Sequence, residues 1–180
     1  PHVLGSALDV GCHNGSVTKR LSDTIVGIDV IDPPQPEVPV TRYDGMTIPF
    51  PDQSFDTVVC SFVLHHSKDP ARLLSEMKRV GKRIVVFEDV YDNVFDRQAV
   101  IGSHWLYFYA IGMTFEKEAF RPRKQWIEFF RQGGLEISLQ TRHRWIVPFW
   151  PIMRHDLYVL DSASAPESST ASEGPVEVRT

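Results

Sequence analysis

The hydrophobic residues in the first half of the chain fall into short runs separated by polar and turn-forming residues. Runs of this kind, rich in β-branched side chains, are typical of buried strands in a parallel sheet. We interpret five of them as strands: residues 3–10, 24–29, 38–43, 55–62 and 83–88.

Helical spacing occupies some of the intervals between these runs. After the first strand, Asn14 is expected to cap a helix whose apolar face carries Val17 and Leu21. A second helix is expected to start near Pro70, between the fourth and fifth strands. Four prolines within residues 33–39 forbid a regular helix between the second and third strands. Strands alternating with helices predict an α/β fold with a parallel sheet covered on both faces.

The second half of the chain is less regular. Residues 123–131 predict an amphipathic helix, which Gly133 ends before a strand that begins near Leu135. Residues 156–160 are expected to form the last strand. We expect one domain over residues 1–160.

The two ends of the sequence call for separate expectations. Residues 161–180 are rich in Ser, Ala, Pro and Glu, and they contain too little apolar surface to offset the entropy of ordering, which predicts a disordered tail. The chain begins with Pro1 and not with Met, which leaves open that the natural N-terminus lies upstream.

Composition narrows the class of protein. A hydrophobic content of 42% is ordinary for a soluble globular protein, and a net charge of -4 argues against a nucleic-acid partner. No apolar run reaches the ~20 residues that span a membrane, so we expect a cytoplasmic protein with no membrane partner. Cys12 and Cys60 are expected to be free thiols, because two cysteines supply neither a disulfide scaffold nor a zinc ligand set.

The candidate chemistry begins where the first strand turns into a helix. Residues 8–15 read Leu-Asp-Val-Gly-Cys-His-Asn-Gly, and small residues at this point let the backbone approach a ligand closely. A tight turn kept for packing is the alternative. The spacing does not fit the Gly-x-Gly-x-x-Gly turn of dinucleotide binders, which argues against a nicotinamide-dependent oxidoreductase.

Residues 7 to about 90 resemble the class I S-adenosylmethionine-dependent methyltransferases of the type 11-like group. Asp9, Gly11 and Gly15 match the aspartate and the first and third glycines of the family's first motif, whereas His13 replaces the middle glycine. The resemblance implies that His13 adds a side chain beside the methionine moiety of the cofactor, where it could narrow the pocket, supply a polar contact or mark a scaffold that has lost activity. Asp29 matches the acidic residue that binds both ribose hydroxyls, with Asp32 as a weaker substitute.

The most specific match is the loop that leads into the fourth strand. Residues 43–56 resemble the family's adenine-recognition loop, in which Asp44 would accept a hydrogen bond from the adenine amino group. Residues 60–66 resemble the segment that borders the methionine moiety, and Asp56 is expected to shape a turn. The resemblance implies cofactor contacts from this set: Asp9, Gly11, Cys12, His13, Gly15, Asp29, Val30, Asp44, Gly45, Met46, Ser61 and Phe62.

The resemblance also implies a fold and an activity. The fold would be Rossmann-like and doubly wound, a mostly parallel seven-stranded sheet with an antiparallel last strand and helices on both faces. The activity would be in-line transfer of the methyl group of S-adenosylmethionine to a small-molecule acceptor, with S-adenosylhomocysteine as product. A noncatalytic cofactor-binding or interaction scaffold is the rival function.

Three residues are candidate proton acceptors. Imidazole titrates near neutral pH, so His65 or His66 could take a proton from the acceptor, although a structural role is the alternative. Asp89, next to Glu88 at the end of the fifth strand, could orient or deprotonate a substrate, or cap a helix. The histidine pair lacks further ligands at a recognised spacing, so no metal is expected. Aromatic residues within 105–109 would pack in the core or wall the acceptor site.

Overall fold

The computed structural model describes residues 2–22, 24–110, 119–145 and 153–162. In this part of the chain seven strands form one sheet: β1 (Ala7–Val10), β2 (Ile25–Asp29), β3 (Val40–Arg42), β4 (Phe55–Ser61), β5 (Gly81–Asp89), β6 (Leu135–Trp145) and β7 (Met153–Ser162). The helices described are α1 (Thr18–Leu21), α2 (Pro70–Val80), α3 (Val94–Ala110) and α4 (Arg123–Gln132), with a 3-10 turn at Leu64–His66.

The strand order is β3-β2-β1-β4-β5-β7-β6, and β7 runs antiparallel to both of its neighbours. The order reverses between β1 and β4, which pair in parallel. Such a reversal opens a crevice beyond the carboxyl ends of the strands, where open α/β sheets bind ligands. The predicted fold class, a doubly wound and mostly parallel seven-stranded sheet, is confirmed.

Successive side chains of each strand point to opposite faces of the sheet, and each face packs in its own apolar cluster. On one face, Leu8 and Val58 pack with Met77 of α2 and Trp126 of α4. The opposite cluster is smaller and contains Ala7, Ile25, Val59, Val85 and Val159. Strands β1, β4 and β5 are buried on both faces and are therefore largely apolar, which is why they stood out in the sequence.

The start of α2 and the proline-rich interval between β2 and β3 fit the sequence expectations. Asp69 caps α2 by accepting a hydrogen bond from the Arg72 N–H, and Pro70 is its first residue. Helix α2 passes directly into β5 at Gly81, where an added Cβ would lie 2.4 Å from Val58 Cγ2. The interval of prolines between β2 and β3 contains no helix, as predicted.

The prediction for the first helix was wrong. Helix α1 is a single turn that begins at Thr18, and Asn14 does not cap it. Val17 is 58% exposed, whereas the Thr18 hydroxyl is buried against Asp9, to which it donates a 2.6 Å hydrogen bond. Gly15 has a left-handed backbone (φ 79°), which delays the helix by one turn and rotates its buried face.

The second half departs further from expectation. Helix α3 is longer than any element predicted there, and its Trp105 and Tyr109 side chains are exposed and stacked on each other, so core packing was wrong for these two. Strand β7 continues to Ser162, so residues 161 and 162 belong to the sheet and not to a tail. The rest of the predicted tail lies outside the described residues. None of the described helices is long and apolar enough to cross a membrane.

Candidate active site

Two adjoining cavities lie beyond the carboxyl ends of β1, β2 and β4. The first, of about 250 Å³, is lined in part by Gly11, His13, Asp29, Ser61 and Phe62. The second, of about 330 Å³, is bordered by the loop of Asp44, Gly45 and Met46. Both are lined by Val30, Tyr43, Val63 and His66, so we treat them as one strand-end cleft.

The turn after β1 brings two loops into close contact across the cleft. Gly11 has a left-handed backbone (φ 75°), and a Cβ added there would lie 2.3 Å from Val63 Cγ2. The N–H groups of Gly11 and Cys12 both donate to the Ile28 carbonyl, at 2.8 and 3.2 Å. Only glycine satisfies both the backbone angle and the space at this position.

Asp29 ends β2 with its carboxylate fixed by backbone groups. Its Oδ2 accepts a 2.7 Å hydrogen bond from the His13 N–H, and its Oδ1 accepts one of 3.2 Å from Ile31. A carboxylate has about four acceptor positions, so two remain for ligand hydroxyls. Asp32, in contrast, is exposed and paired with Arg42 at 2.9 Å.

The loop after β3 is organised by one carboxylate oxygen. Asp44 Oδ1 accepts hydrogen bonds from the N–H groups of Met46 (2.8 Å) and Thr47 (2.7 Å). These two bonds, that of Thr47 first, lower the pKa of Asp44 below its ordinary range. The carboxylate is therefore charged at neutral pH, and Oδ2 can accept a further hydrogen bond.

Two lining residues have left-handed backbones although they are not glycines. His13, in place of the family's middle glycine, has φ 49° and an exposed side chain at the cleft. Phe62 has φ 58°, and its N–H donates to the Phe87 carbonyl at 2.8 Å. Such strained backbone costs on the order of 1–3 kcal/mol each and concentrates at functional sites.

Three residues that the resemblance placed at the cofactor do not line either cavity. Asp9 is buried, and desolvation raises its pKa to about 6, against the Thr18 hydrogen bond that lowers it. Cys12 is buried against Gly27, and desolvation raises its pKa to about 12. Gly15 allows the proline-rich crossover to approach, because an added Cβ would lie 2.3 Å from Val38. In this structure all three support the cleft through packing.

The paired histidines have different surroundings. His66 lines both cavities, and its pKa is lowered to about 4 by burial of the ring and by His65 and His104. His65 is buried and lines neither cavity; its Nδ1 lies 2.5 Å from Glu88 Oε2. Burial lowers the pKa of His65, but the Glu88 carboxylate more than offsets this, so the pKa is raised. Of the pair, only His66 has access to a ligand in the cleft.

The carboxylates at the end of β5 are buried and engaged within the protein. Glu88 Oε1 accepts a 2.8 Å hydrogen bond from the Leu64 N–H, so Glu88 ties the 3-10 turn to the sheet. Asp89 Oδ1 lies 2.8 Å from His155 Nδ1, and Asp89 does not line the cleft. Helix capping by Asp89 was wrong, because Asn93 accepts the hydrogen bond from the Asp96 N–H at the start of α3.

Sequence reasoning missed several residues around the cleft. Tyr43 and Val63 line both cavities, and they lie within the recognised segments 43–56 and 60–66, although neither was among the expected cofactor contacts. His104, in contrast, comes from α3, and its ring lies 5.5 Å from that of His65. No spacing in the sequence relates these two residues.

A larger groove, of about 650 Å³, lies between α2 and α4 and is lined by Leu74, Lys78 and Phe129 among others. It contains none of the strand ends or the glycine turn. We therefore assign the candidate site to the strand-end cleft, where the groups suited to a nucleoside ligand converge.

Comparison with known proteins gives matches for the part of the chain that forms the strand-end cleft. Residues 8–87 match the family model of the methyltransferase domain. The chain is 45% identical over 56 residues to a demethylmenaquinone methyltransferase of Streptomyces griseus, covering 29% of this chain and 24% of the relative. It is 30% identical over 129 residues to the protein of that name from Roseiflexus castenholzii, covering 62% and 52%. The chain spans about a quarter to a half of the length of the curated relatives it matches.

The overall fold is shared with solved structures. One is a SAM-dependent methyltransferase of Methanosarcina mazei, with a TM-score of 0.63 and 15% identity over 88% of this chain and 92% of that one. At this identity the likeness concerns the arrangement of strands and helices.

Proposed function

Residues 8–87 belong to the class I S-adenosylmethionine-dependent methyltransferase family, and from this premise we propose that the chain transfers the methyl group of S-adenosylmethionine to a small-molecule acceptor. We assign the cofactor to the strand-end cleft. The observation that carries this assignment is the convergence of Gly11, Asp29 and Asp44 on two adjoining cavities that share lining residues.

For each part of the proposed cofactor, the cleft contains a protein group suited to bind it. The two acceptor positions left on Asp29 match the two ribose hydroxyls, and the charged Asp44 matches the adenine amino group. Gly45 and Met46 border the adenine side of the cleft, whereas Ser61 and Phe62 border the side assigned to methionine. Asp9, Cys12 and Gly15 hold the backbone of the first turn.

The role of the chain in the reaction is mainly alignment. Held in the cleft by Asp29 and Asp44, S-adenosylmethionine would supply an electrophilic methyl group on a sulfonium for in-line transfer, with S-adenosylhomocysteine as the leaving product. Holding the two reactants in that geometry is worth up to about 7–11 kcal/mol in favourable cases. His66 is the candidate proton acceptor, because it lines the cleft and its lowered pKa keeps the imidazole neutral at pH 7. His65 and Asp89 are proposed to position it from within the protein.

The acceptor is proposed to be small and largely apolar. The support for this proposal is that curated relatives of the chain are named for demethylmenaquinone. A short-chain demethylmenaquinone is therefore the first acceptor to test. A cytoplasmic location and the lack of a nucleic-acid partner stay predictions.

Calorimetric titration with S-adenosylmethionine and S-adenosylhomocysteine tests the cofactor site, and transfer of a labelled methyl group to the acceptor tests the activity. Asp29→Ala should weaken binding by about 1.5–3 kcal/mol, because it removes a charged hydrogen-bond acceptor. The matched control is Asp32→Ala, which removes an exposed carboxylate three residues away and should leave affinity unchanged. Absence of binding to either ligand would refute the proposal, and binding without turnover on any acceptor would favour the noncatalytic scaffold.

A further inference from the structure

Three histidine rings lie close together, and one of them, His66, lines the strand-end cleft. His65 and His66 lie in the 3-10 turn after β4, and His104 comes from α3. One ring nitrogen from each lies within 4.8 Å of the others. The ring centroids of His65 and His104 are 5.5 Å apart, and Phe120 packs against both rings, at 4.8 and 4.4 Å.

Two of these rings have one nitrogen fixed by an oxygen of the protein. His65 Nδ1 lies 2.5 Å from the buried Glu88 carboxylate, and His104 Nδ1 lies 3.0 Å from the Val100 carbonyl. An Nδ1–H that donates to an oxygen leaves Nε2 as the nitrogen with a lone pair. Metal-binding histidines commonly have this arrangement, in which a carboxylate or carbonyl sets the tautomer and the ring orientation.

The second nitrogen of His65 gives an independent indication of a ligand. The His65 side chain is 1% exposed, and its Nε2 is buried with no hydrogen-bond partner among the described residues. A buried ring nitrogen without a partner is destabilising, and native structures seldom leave one unexplained. A cation bound by the neutral ring through Nε2 would satisfy this nitrogen.

We propose that His65, His66 and His104 form a binding site for a divalent transition metal ion, with Zn²⁺ as the ion whose ligand preference fits best. Imidazole nitrogen is a preferred ligand of zinc, and three histidines with a fourth position open to solvent are a known zinc arrangement. The site goes beyond the proposed cofactor assignment, which does not require these three residues. An imidazole whose lone pair binds the ion cannot take up a proton there, so with an ion bound His66 would be a metal ligand and not the proton acceptor of methyl transfer.

The geometry needs a small adjustment to bind an ion. In a tetrahedral zinc site with zinc–nitrogen bonds of about 2.0–2.1 Å, the ligand nitrogens lie about 3.3 Å apart. In this structure the three ring nitrogens lie within 4.8 Å of one another, so they would have to move closer together. To bind the ion, His66, which is exposed, would have to move toward the other two rings. Because His66 also lines the cleft, the open position of the ion would lie beside the acceptor, where it could polarise an acceptor oxygen. Asp89 Oδ2 lies 3.4 Å from His104 Nε2.

The experiment uses the full chain without a polyhistidine tag, stripped with a chelator and titrated with Zn²⁺ by calorimetry and with Co²⁺ by visible absorption. We expect one ion per chain and cobalt bands typical of four- or five-coordination. His66→Ala, at an exposed position that should not affect folding, is expected to abolish stoichiometric binding. Glu88→Gln should weaken it about 10- to 100-fold by removing the carboxylate that orients His65.

The matched control is His143→Ala, which removes an exposed histidine on β6 and should leave both titrations unchanged. Absence of a stoichiometric ion in the wild-type chain would overturn the site, and so would equal binding by the His66→Ala variant. All titrations are made without S-adenosylmethionine, and cofactor binding is measured on the metal-stripped chain. Failure of the metal site is thereby distinguished from failure of the proposed function.

Discussion

The strand-end cleft and the region across β5, β7 and α4 use polar groups in opposite ways. In the cleft, Asp29 and Asp44 accept hydrogen bonds from backbone N–H groups and retain capacity for a ligand. Across β7, Arg123 and Asp156 are both buried and are paired through two contacts, of 2.6 and 3.1 Å. The carboxylates of the cleft are preorganised to bind a ligand, whereas the Arg123–Asp156 pair is satisfied by groups of the protein itself.

The buried pair forms part of a wider network that is closed to a ligand. Asp156 Oδ2 also accepts hydrogen bonds from Gln140 Nε2 (2.6 Å) and the Tyr158 hydroxyl (3.2 Å). Arg123 is further paired with Asp92. A preorganised carboxylate therefore marks a ligand site only where acceptor positions are left over.

The largest effect is expected from breaking the closed network. Asp156→Ala leaves the buried Arg123 without its main partner, and removing one member of a buried ion pair costs about 3–5 kcal/mol. Chemical denaturation measures this loss in the free energy of unfolding. The control is Asp161→Ala on the same strand, which removes a partner of Arg83 in a pair whose side chains are 35% exposed. That change should cost less than about 1 kcal/mol, and equal losses would show that burial does not distinguish the two pairs.

The next effect concerns the backbone of the cleft. Gly11→Ala should destabilise the chain by roughly 2–4 kcal/mol and weaken cofactor binding, because it combines a left-handed backbone with overlap on Val63. Thermal unfolding and calorimetry measure the two changes. Gly102→Ala in α3 is the control, since an added Cβ meets no atom within 4 Å there, and it should be neutral or stabilising. A tolerated Gly11→Ala would show that the turn is not under steric constraint.

A third prediction concerns the carboxyl group beneath the first turn. The pKa of Asp9 is raised by burial to about 6 in the folded chain, above its ordinary value of 3.8. Between these values the folded chain binds more protons than the unfolded chain, so the stability that depends on Asp9 falls as the pH rises from about 4 to 6. Asp9→Asn should therefore stabilise the chain by roughly 2–3 kcal/mol at pH 7 and have little effect near pH 4. Denaturation of both proteins at the two pH values checks this, and a pH-independent difference would contradict it.

The smallest effect is expected at the residue that departs from the family motif. His13→Gly keeps the N–H that donates to Asp29 and relieves a left-handed backbone, so it should stabilise the chain by roughly 0.5–1 kcal/mol. Gln35→Gly, at φ 53° in the exposed crossover, should give a similar gain. Only His13→Gly should also change the affinity for S-adenosylmethionine, as measured by calorimetry. Unchanged affinity would mean that the His13 side chain does not contact the cofactor.

The parallel part of the fold could be predicted because each of its strands carries its own signal. Strands β1, β4 and β5 are buried on both faces, so short apolar runs mark them without knowledge of their neighbours. The same locality applies to Gly11, Asp29 and Asp44, each of which lies at the end of a strand or within two residues after it. Helix α1 was misplaced because the contact between Thr18 and Asp9, which sets its buried face, joins residues nine positions apart in different elements.

The sequence alone determined the α/β class, most strand positions and the loops from which the cleft is built, because these depend on residues that are adjacent in the chain. Tertiary structure alone decided which of those residues line the cleft, since Asp9, Cys12 and Gly15 lie in the motif but support the turn through packing. It also determined the surroundings of His65, to which Glu88 of β5 and His104 of α3 contribute. These contacts form only when the sheet has assembled and α3 packs against it, so no local sequence pattern encodes them.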